Sequence, residues 1–143
     1  MTPKENYKYE LERGQKFEQH VAKLFRENLN VELDFFIGKK EQLKGETHQG
    51  IEIKFDDKMK DTGNLYIECA EKSHPALPGY FPGGIYRDDN TWLYAIGDYD
   101  TVYLFGKEVL QNVVNDFRGV ETPTSQGFLI PVTRAEALCI QKL

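Results

Sequence analysis

Two short stretches of this chain carry acids and lysines at a spacing that could do chemistry: Gly50-Ile51-Glu52-Ile53-Lys54 and Tyr66-Ile67-Glu68-Cys69-Ala70-Glu71-Lys72. Side chains of an extended segment alternate between faces. Glu52, Lys54 and Asp56 therefore share one face of the first segment. Tyr66, Glu68, Ala70 and Lys72 share one face of the second. Residues 57–64 are polar and contain Thr62-Gly63-Asn64, a turn signal. The two segments read as a β-hairpin spanning 50–72, which would bring Glu52, Glu68 and a lysine together on one side of a sheet. Two carboxylates on neighbouring rigid strands can hold Mg²⁺, which takes hard oxygen ligands and keeps several waters. The ion lowers the pKa of a bound water and neutralises charge on a phosphate. A lysine beside it can orient that water or stabilise the developing oxyanion. Carboxylates this close repel, so an empty site raises at least one of their pKa values.

The elements that must position these residues can be read from periodicity. Phe17, Val21, Leu24 and Phe25 fall at helical spacing and predict a helix over 4–28. Residues 30–37 read as a strand and 39–49 as a loop or short ragged strand. Residues 50–56 alternate cleanly, with Ile51, Ile53 and Phe55 on one face. Residues 65–72 form the second arm of the hairpin. Residues 73–90 are rich in Pro, Gly and aromatics, a length of loop uncommon unless it is functional. Residues 91–97 and 101–105 read as a second hairpin around Asp98-Tyr99-Asp100. A helix over 107–117 and a strand over 127–132 follow. Residues 135–143 fit either a short helix or a last strand. The whole predicts one α/β domain over 1–143, with a mixed central sheet of about five strands flanked by helices.

Composition sets the outer bounds. The chain has 143 residues, 40% hydrophobic and 29% charged, the balance of an ordinary globular domain. Cys69 and Cys139 lie in apolar runs without metal-ligand spacing and read as free core thiols. The N-terminus has no apolar signal-peptide region and no run is long enough to span a membrane, so a cytoplasmic protein with no membrane partner is expected. A net charge of -5 argues against a chain that mainly coats nucleic acid. It leaves room for an enzyme that meets DNA through a local basic strip. Lys39, Lys40 and Lys44, with Lys58 and Lys60 in the turn, are the best candidates for that strip. Asp56 and His74 are further candidates beside the site. Tyr80, Phe81 and Tyr86 either stack on unpaired bases or cover a core edge. No Gly-rich nucleotide loop and no Ser or Cys nucleophile motif is present.

The succession of a helix bearing Glu18, a strand, Gly50-Ile51-Glu52-Ile53, a turn and Tyr66-Ile67-Glu68-Cys69 resembles the PD-(D/E)XK nuclease superfamily. That superfamily includes restriction endonucleases and archaeal-type Holliday-junction resolvases. By order of elements the resemblance covers roughly 14–105. It implies a restriction-endonuclease-like fold, Mg²⁺ as cofactor with Mn²⁺ as substitute, and hydrolysis of phosphodiester bonds in duplex or branched DNA. In one register Glu52 and Glu68 are the metal-binding acids and Glu18 matches the family's helical glutamate. The lysine expected two residues after Glu68 is then replaced by Ala70, so Lys72 or Lys54 would act from a displaced position. In a second register Glu52-Ile53-Lys54 is itself the (D/E)XK, with Asp34 or Glu46 as the upstream acid. The first register is preferred, because it matches the family's hairpin. The small size and the lack of a second, sequence-reading domain predict a structure-selective or weakly specific enzyme, phage- or mobile-element-related or working within a larger assembly. The resemblance implies a homodimer where both strands are cut. The alternative from a different class is a non-catalytic nuclease fold or α/β interaction module in a nucleic-acid-processing assembly. Ala70 and the acidic balance favour that alternative.

Overall fold

A computed structural model describes residues 1–143. The chain opens with helix α1 (Pro3–Leu29). Thr2 caps it: its hydroxyl accepts from the Glu5 amide and the Glu5 carboxylate accepts from the Thr2 N–H, both at 3.1 Å. This reciprocal pair satisfies amides that have no partner within the helix. Phe17, Val21, Ala22 and Phe25 form its buried stripe. The helix stops at Asn30, whose φ of 55° is a left-handed conformation that asparagine tolerates.

There follow α2 (Lys39–Gln42), β1 (Ile51–Phe55), α3 (Met59–Thr62), β2 (Asn64–Glu71) and β3 (Phe81–Pro82). A single 3₁₀ turn over Gly84–Tyr86 leads to β4 (Leu93–Gly97), β5 (Val102–Gly106) and α4 (Lys107–Asn112). The chain ends with β6 (Gly119–Glu121), β7 (Ser125–Pro131), α5 (Val132–Leu138) and β8 (Gln141–Lys142). This is an α/β fold with two sheets of four strands each, where one sheet of about five strands was expected. Sheet one runs β1-β4-β5-β8 and sheet two runs β3-β2-β7-β6. Only β1 and β4 pair in parallel; every other pairing is antiparallel.

The layers follow from alternation along the strands. Ile51, Ile53, Leu93, Ala95, Val102 and Leu104 cover one face of sheet one and pack against the α1 stripe. Tyr94, Ile96, Tyr103 and Phe105 cover the other face. They meet Leu65, Ile67, Phe128 and Ile130 of sheet two, with Leu110 of α4 and Ala135 of α5 in the same core. The order is helix, sheet, sheet, and sheet one is shared by both cores.

Four expectations need correction. First, the predicted 50–72 hairpin does not exist, because β1 and β2 lie in different sheets. Asp56 turns the chain out of sheet one: its carboxylate accepts from the amides of Lys58 at 3.2 Å and Tyr66 at 2.9 Å. The hydrogen-bonding partner of β1 is β4, some forty residues on. Second, residues 30–37 form no strand but one isolated bridge, Phe35 to Thr47. Third, the 107–117 helix ends at Asn112, and the short strand β6 follows where none was expected. Fourth, the 73–90 loop is not wholly structureless, since it holds β3 and the 3₁₀ turn that buries Ile85. The undecided C-terminus is both things in turn, helix α5 and then strand β8.

Strand β1 is an edge strand, and an edge leaves amides without a ladder partner. Side chains supply the missing acceptors. The fully buried Thr47 hydroxyl accepts from the Ile51 N–H and donates to the Ile51 carbonyl, each at 2.9 Å. Gly50 starts the strand at φ 79°, with Trp92 and the Asn90 carbonyl so close that a Cβ would collide with both. Thr47→Val keeps the volume but strands two buried polar groups, so it should cost about 1–3 kcal/mol. Urea denaturation of the variant against wild type measures this, and an unchanged midpoint would show that the hydroxyl does not hold the edge.

Candidate active site

Three directions converge on the edge of β1. Glu52 and Lys54 leave the strand on the face that carries Tyr94, which is in register with Glu52. Glu46 comes from the loop that runs along the edge, and its Oε2 accepts from the Ile53 N–H at 3.0 Å. Glu18 comes from α1 on the opposite face and lies close enough to Glu46 for the two carboxyls to influence each other. These four line one cleft of about 790 Å³, with Arg87 and Asp89 on its far wall.

Glu52 is only 4% exposed. Its Oε2 is enclosed without a hydrogen bond and faces the Lys54 ammonium at 3.4 Å. Glu46 Oε1 is likewise enclosed with no donor. Burial is the main force on Glu46 and pushes its carboxyl up to about 8. The Ile53 amide opposes that shift, and Glu18 and Glu52 add to it through like-charge repulsion. Burial also raises Glu18, against the neighbouring Glu46 carboxyl and the charge of Lys54. Burial lowers the Lys54 ammonium, but the carboxylates of Glu52, Glu46 and Glu68 more than offset it and hold it above its ordinary value. Burial therefore favours a proton on Glu46, and a cation bound beside it would oppose that preference.

Of the residues expected at the site, the structure brings together Glu18, Glu52 and Lys54. Glu46, given only as an upstream acid of the second register, is central. Asp34, the other such acid, is exposed and accepts instead from the Gln49 side chain at 3.1 Å. Glu68 lies in a neighbouring cavity that also reaches Lys54. Burial raises its carboxyl, and Lys54 is the strongest opposing charge.

Lys72 is engaged elsewhere: its ammonium donates to the Leu77 carbonyl at 2.9 Å and sits over the Tyr80 ring. It braces the loop that follows β2. Asp56 spends its oxygens on the backbone turn. His74 accepts from the Ala76 amide at 3.0 Å within an exposed loop. Lys60 pairs with Asp100, whereas Lys58 borders the neighbouring cavity. Lys44 pairs with Glu41 at 2.8 Å, so two lysines of the expected basic strip are engaged by acids of this chain. Tyr80 donates to Glu121 at 2.7 Å, while Phe81 and Tyr86 are exposed and do not cover the core.

Sequence reasoning missed Arg87 and Asp89. Arg87 pairs with Glu71 at 2.7 Å. Asp89 is held by Lys107, which also donates to the Arg87 carbonyl at 2.8 Å. The signal was the long loop itself, which delivers Arg87-Asp88-Asp89 at its end. Comparison with known protein families, with curated proteins and with solved structures finds no match for this chain.

The donor set suits a hard divalent cation. No three His, Cys, Asp or Glu side chains converge closely enough to enclose an ion by themselves. Mg²⁺ is commonly held by one or two carboxylates with the remaining positions left to water and phosphate. Glu46 Oε1 and Glu52 Oε2, both enclosed and lacking hydrogen-bond partners, are oxygens of that kind.

The raised Glu46 has a consequence for stability. Between its unfolded value near 4.5 and about 8, the folded chain binds more protons than the unfolded chain. The stabilising contribution is therefore full below about pH 4.5 and is lost as pH rises through about 8. In EDTA the thermal midpoint should fall between pH 6 and pH 9, and Glu46→Gln should flatten that fall. Parallel pH profiles of wild type and variant would defeat the assignment of a buried proton to Glu46.

Proposed function

We propose that this chain is a divalent-cation-dependent endonuclease that hydrolyses phosphodiester bonds in DNA. One observation carries the reading: Glu52 and Lys54, two residues apart on one strand, share a cleft with Glu46 and the helical Glu18. This is the acid, acid and lysine set of the second register, with Glu46 as the upstream acid, joined by the helical Glu18 of the first.

Glu46 and Glu52 would hold the cation, with Glu18 beside them in the same cleft. A bound Mg²⁺ supplies Lewis acidity, polarising phosphate oxygen and lowering the pKa of water. Lys54 stands against Glu52 with its charge secured by three carboxylates. It would orient the attacking water and face the charge that develops on the phosphate. Arg87 enters the same cleft and adds a second cation on the substrate side. The burial of Glu52 and the edge contact of Glu46 keep both acids in place before substrate arrives, so little reorganisation remains for the reaction.

The test is nicking of supercoiled plasmid and of branched DNA with Mn²⁺ or Mg²⁺. Glu52→Ala and Lys54→Ala should each reduce the rate by about 100-fold or more. Mn²⁺ should raise the wild-type thermal midpoint and leave that of Glu52→Ala unmoved. Equal nicking by wild type and both variants would sink the proposal. A wild-type midpoint indifferent to Mn²⁺ would return the chain to the interaction-module reading.

A further inference from the structure

A second cavity of about 440 Å³ meets the first at one residue, Lys54, which lines both. Its size is within the range of small-molecule pockets, roughly 300–1,000 Å³. Tyr66, Val120 and Leu129 of sheet two form one wall, and Ile85, Tyr94 and Ile96 contribute behind them. We propose that this cavity seats a single unpaired nucleobase of the nucleic acid whose phosphate lies in the adjoining cleft. The inference rests on the nuclease reading and deepens it to a substrate class.

The polar groups in the wall single out a reader of the base edge. Asp56 gives its oxygens to the Lys58 and Tyr66 amides. Asp57 pairs with Arg13 at 2.6 Å. The Tyr66 hydroxyl bonds to the Ser125 hydroxyl at 2.7 Å, and the Thr122 hydroxyl bonds to that of Ser125 at 2.8 Å. Glu68 alone among the acids of this wall has neither a backbone donor nor an ion pair. A free carboxyl bordering an apolar slot fits an exocyclic amino group or ring N–H of a base.

The order of the two cavities matches a nucleotide. One end handles an anion through Lys54 and Arg87, and the other offers flat apolar walls and one acceptor. A base enters only out of its pair, either free in a single strand or branch or extruded from a duplex at the cost of unstacking and unpairing. An already unpaired nucleotide beside the cut avoids that cost, so single-stranded or branched DNA is the favoured substrate class. Glu68 then acts on the base and not on the metal, which separates its role from those of Glu46 and Glu52.

The test is read without metal, so it does not depend on cleavage. NMR titration compares the four 5′-deoxymononucleotides with 2-deoxyribose 5-phosphate on the full chain. At least one nucleotide should bind about ten-fold or more tightly than the sugar phosphate, the scale that stacking one base supplies. Leu129→Trp, which fills the slot, should erase that difference while Mn²⁺ stabilisation persists. Val120→Tyr fills it from the neighbouring strand and serves if the first variant fails to fold. Equal binding of nucleotides and sugar phosphate by wild type overturns the proposal, as does a folded filled variant that keeps the preference. In the wild type, absence of base discrimination with Mn²⁺ stabilisation intact would fault the pocket alone. Absent Mn²⁺ stabilisation would fault the nuclease reading.

Discussion

The unpaired edge of β1 is the constraint on which the site depends. A strand that pairs on one side only must find acceptors for its outward amides or leave them to water. Thr47 takes the Ile51 amide and Glu46 takes the Ile53 amide. The second contact does two things at once. It seals the edge against pairing with another chain, and it fixes an acid beside Glu52 and Lys54. Because all three groups are tied to five residues of one strand, their spacing is set by backbone geometry and not by flexible loops. Thr47 is itself anchored from outside, since Asn90 donates to its carbonyl at 2.8 Å.

That arrangement is electrostatically expensive. Five acids and three bases line one cleft, Glu12, Glu18, Glu46, Glu52 and Asp89 against Lys16, Lys54 and Arg87, and of these Glu12 and Lys16 are exposed. Arg87 is pulled toward Glu71 and Asp89 toward Lys107. What remains is three carboxyls around one lysine, which the protein accommodates by keeping a proton on Glu46. Buried carboxyls are usually avoided or paired. A cluster that retains them unpaired, with two enclosed oxygens lacking donors, is a common mark of a site built for a ligand.

How much of this could be read from the residues is a matter of range. The α1 stripe, the alternation of 50–56 and the alternation of 65–72 are local, so helix and strands were legible. So was the pairing of Glu52 with Lys54, because two-residue spacing puts them on one face. The partner of β1 was not legible. A short strand with a turn after it looks like a hairpin arm, and only the Asp56 turn and the distant 93–97 segment reverse that reading. Glu46 read as one of several loop acids because its decisive partner is a backbone amide, which has no sequence signature. Lys72 had the right spacing along its strand, but the local Leu77 carbonyl and Tyr80 ring hold it.

The loss of the hairpin moves the proposed chemistry from the first register to the second. In the hairpin register the residue two after the second acid is Ala70, and the reading needs a lysine displaced from another position. With Glu46 as the upstream acid, the lysine two residues after Glu52 is Lys54, and no displacement is required. Lys54 then has acids of two kinds beside it, Glu52 and Glu46 in one cleft and Glu68 in the next. A cation shared between two cavities can couple them. Whatever draws charge toward Glu68 weakens its hold on Lys54 and frees the ammonium for the cleft of Glu46 and Glu52. In this geometry recognition and chemistry would meet at a single nitrogen, without any movement of the sheets.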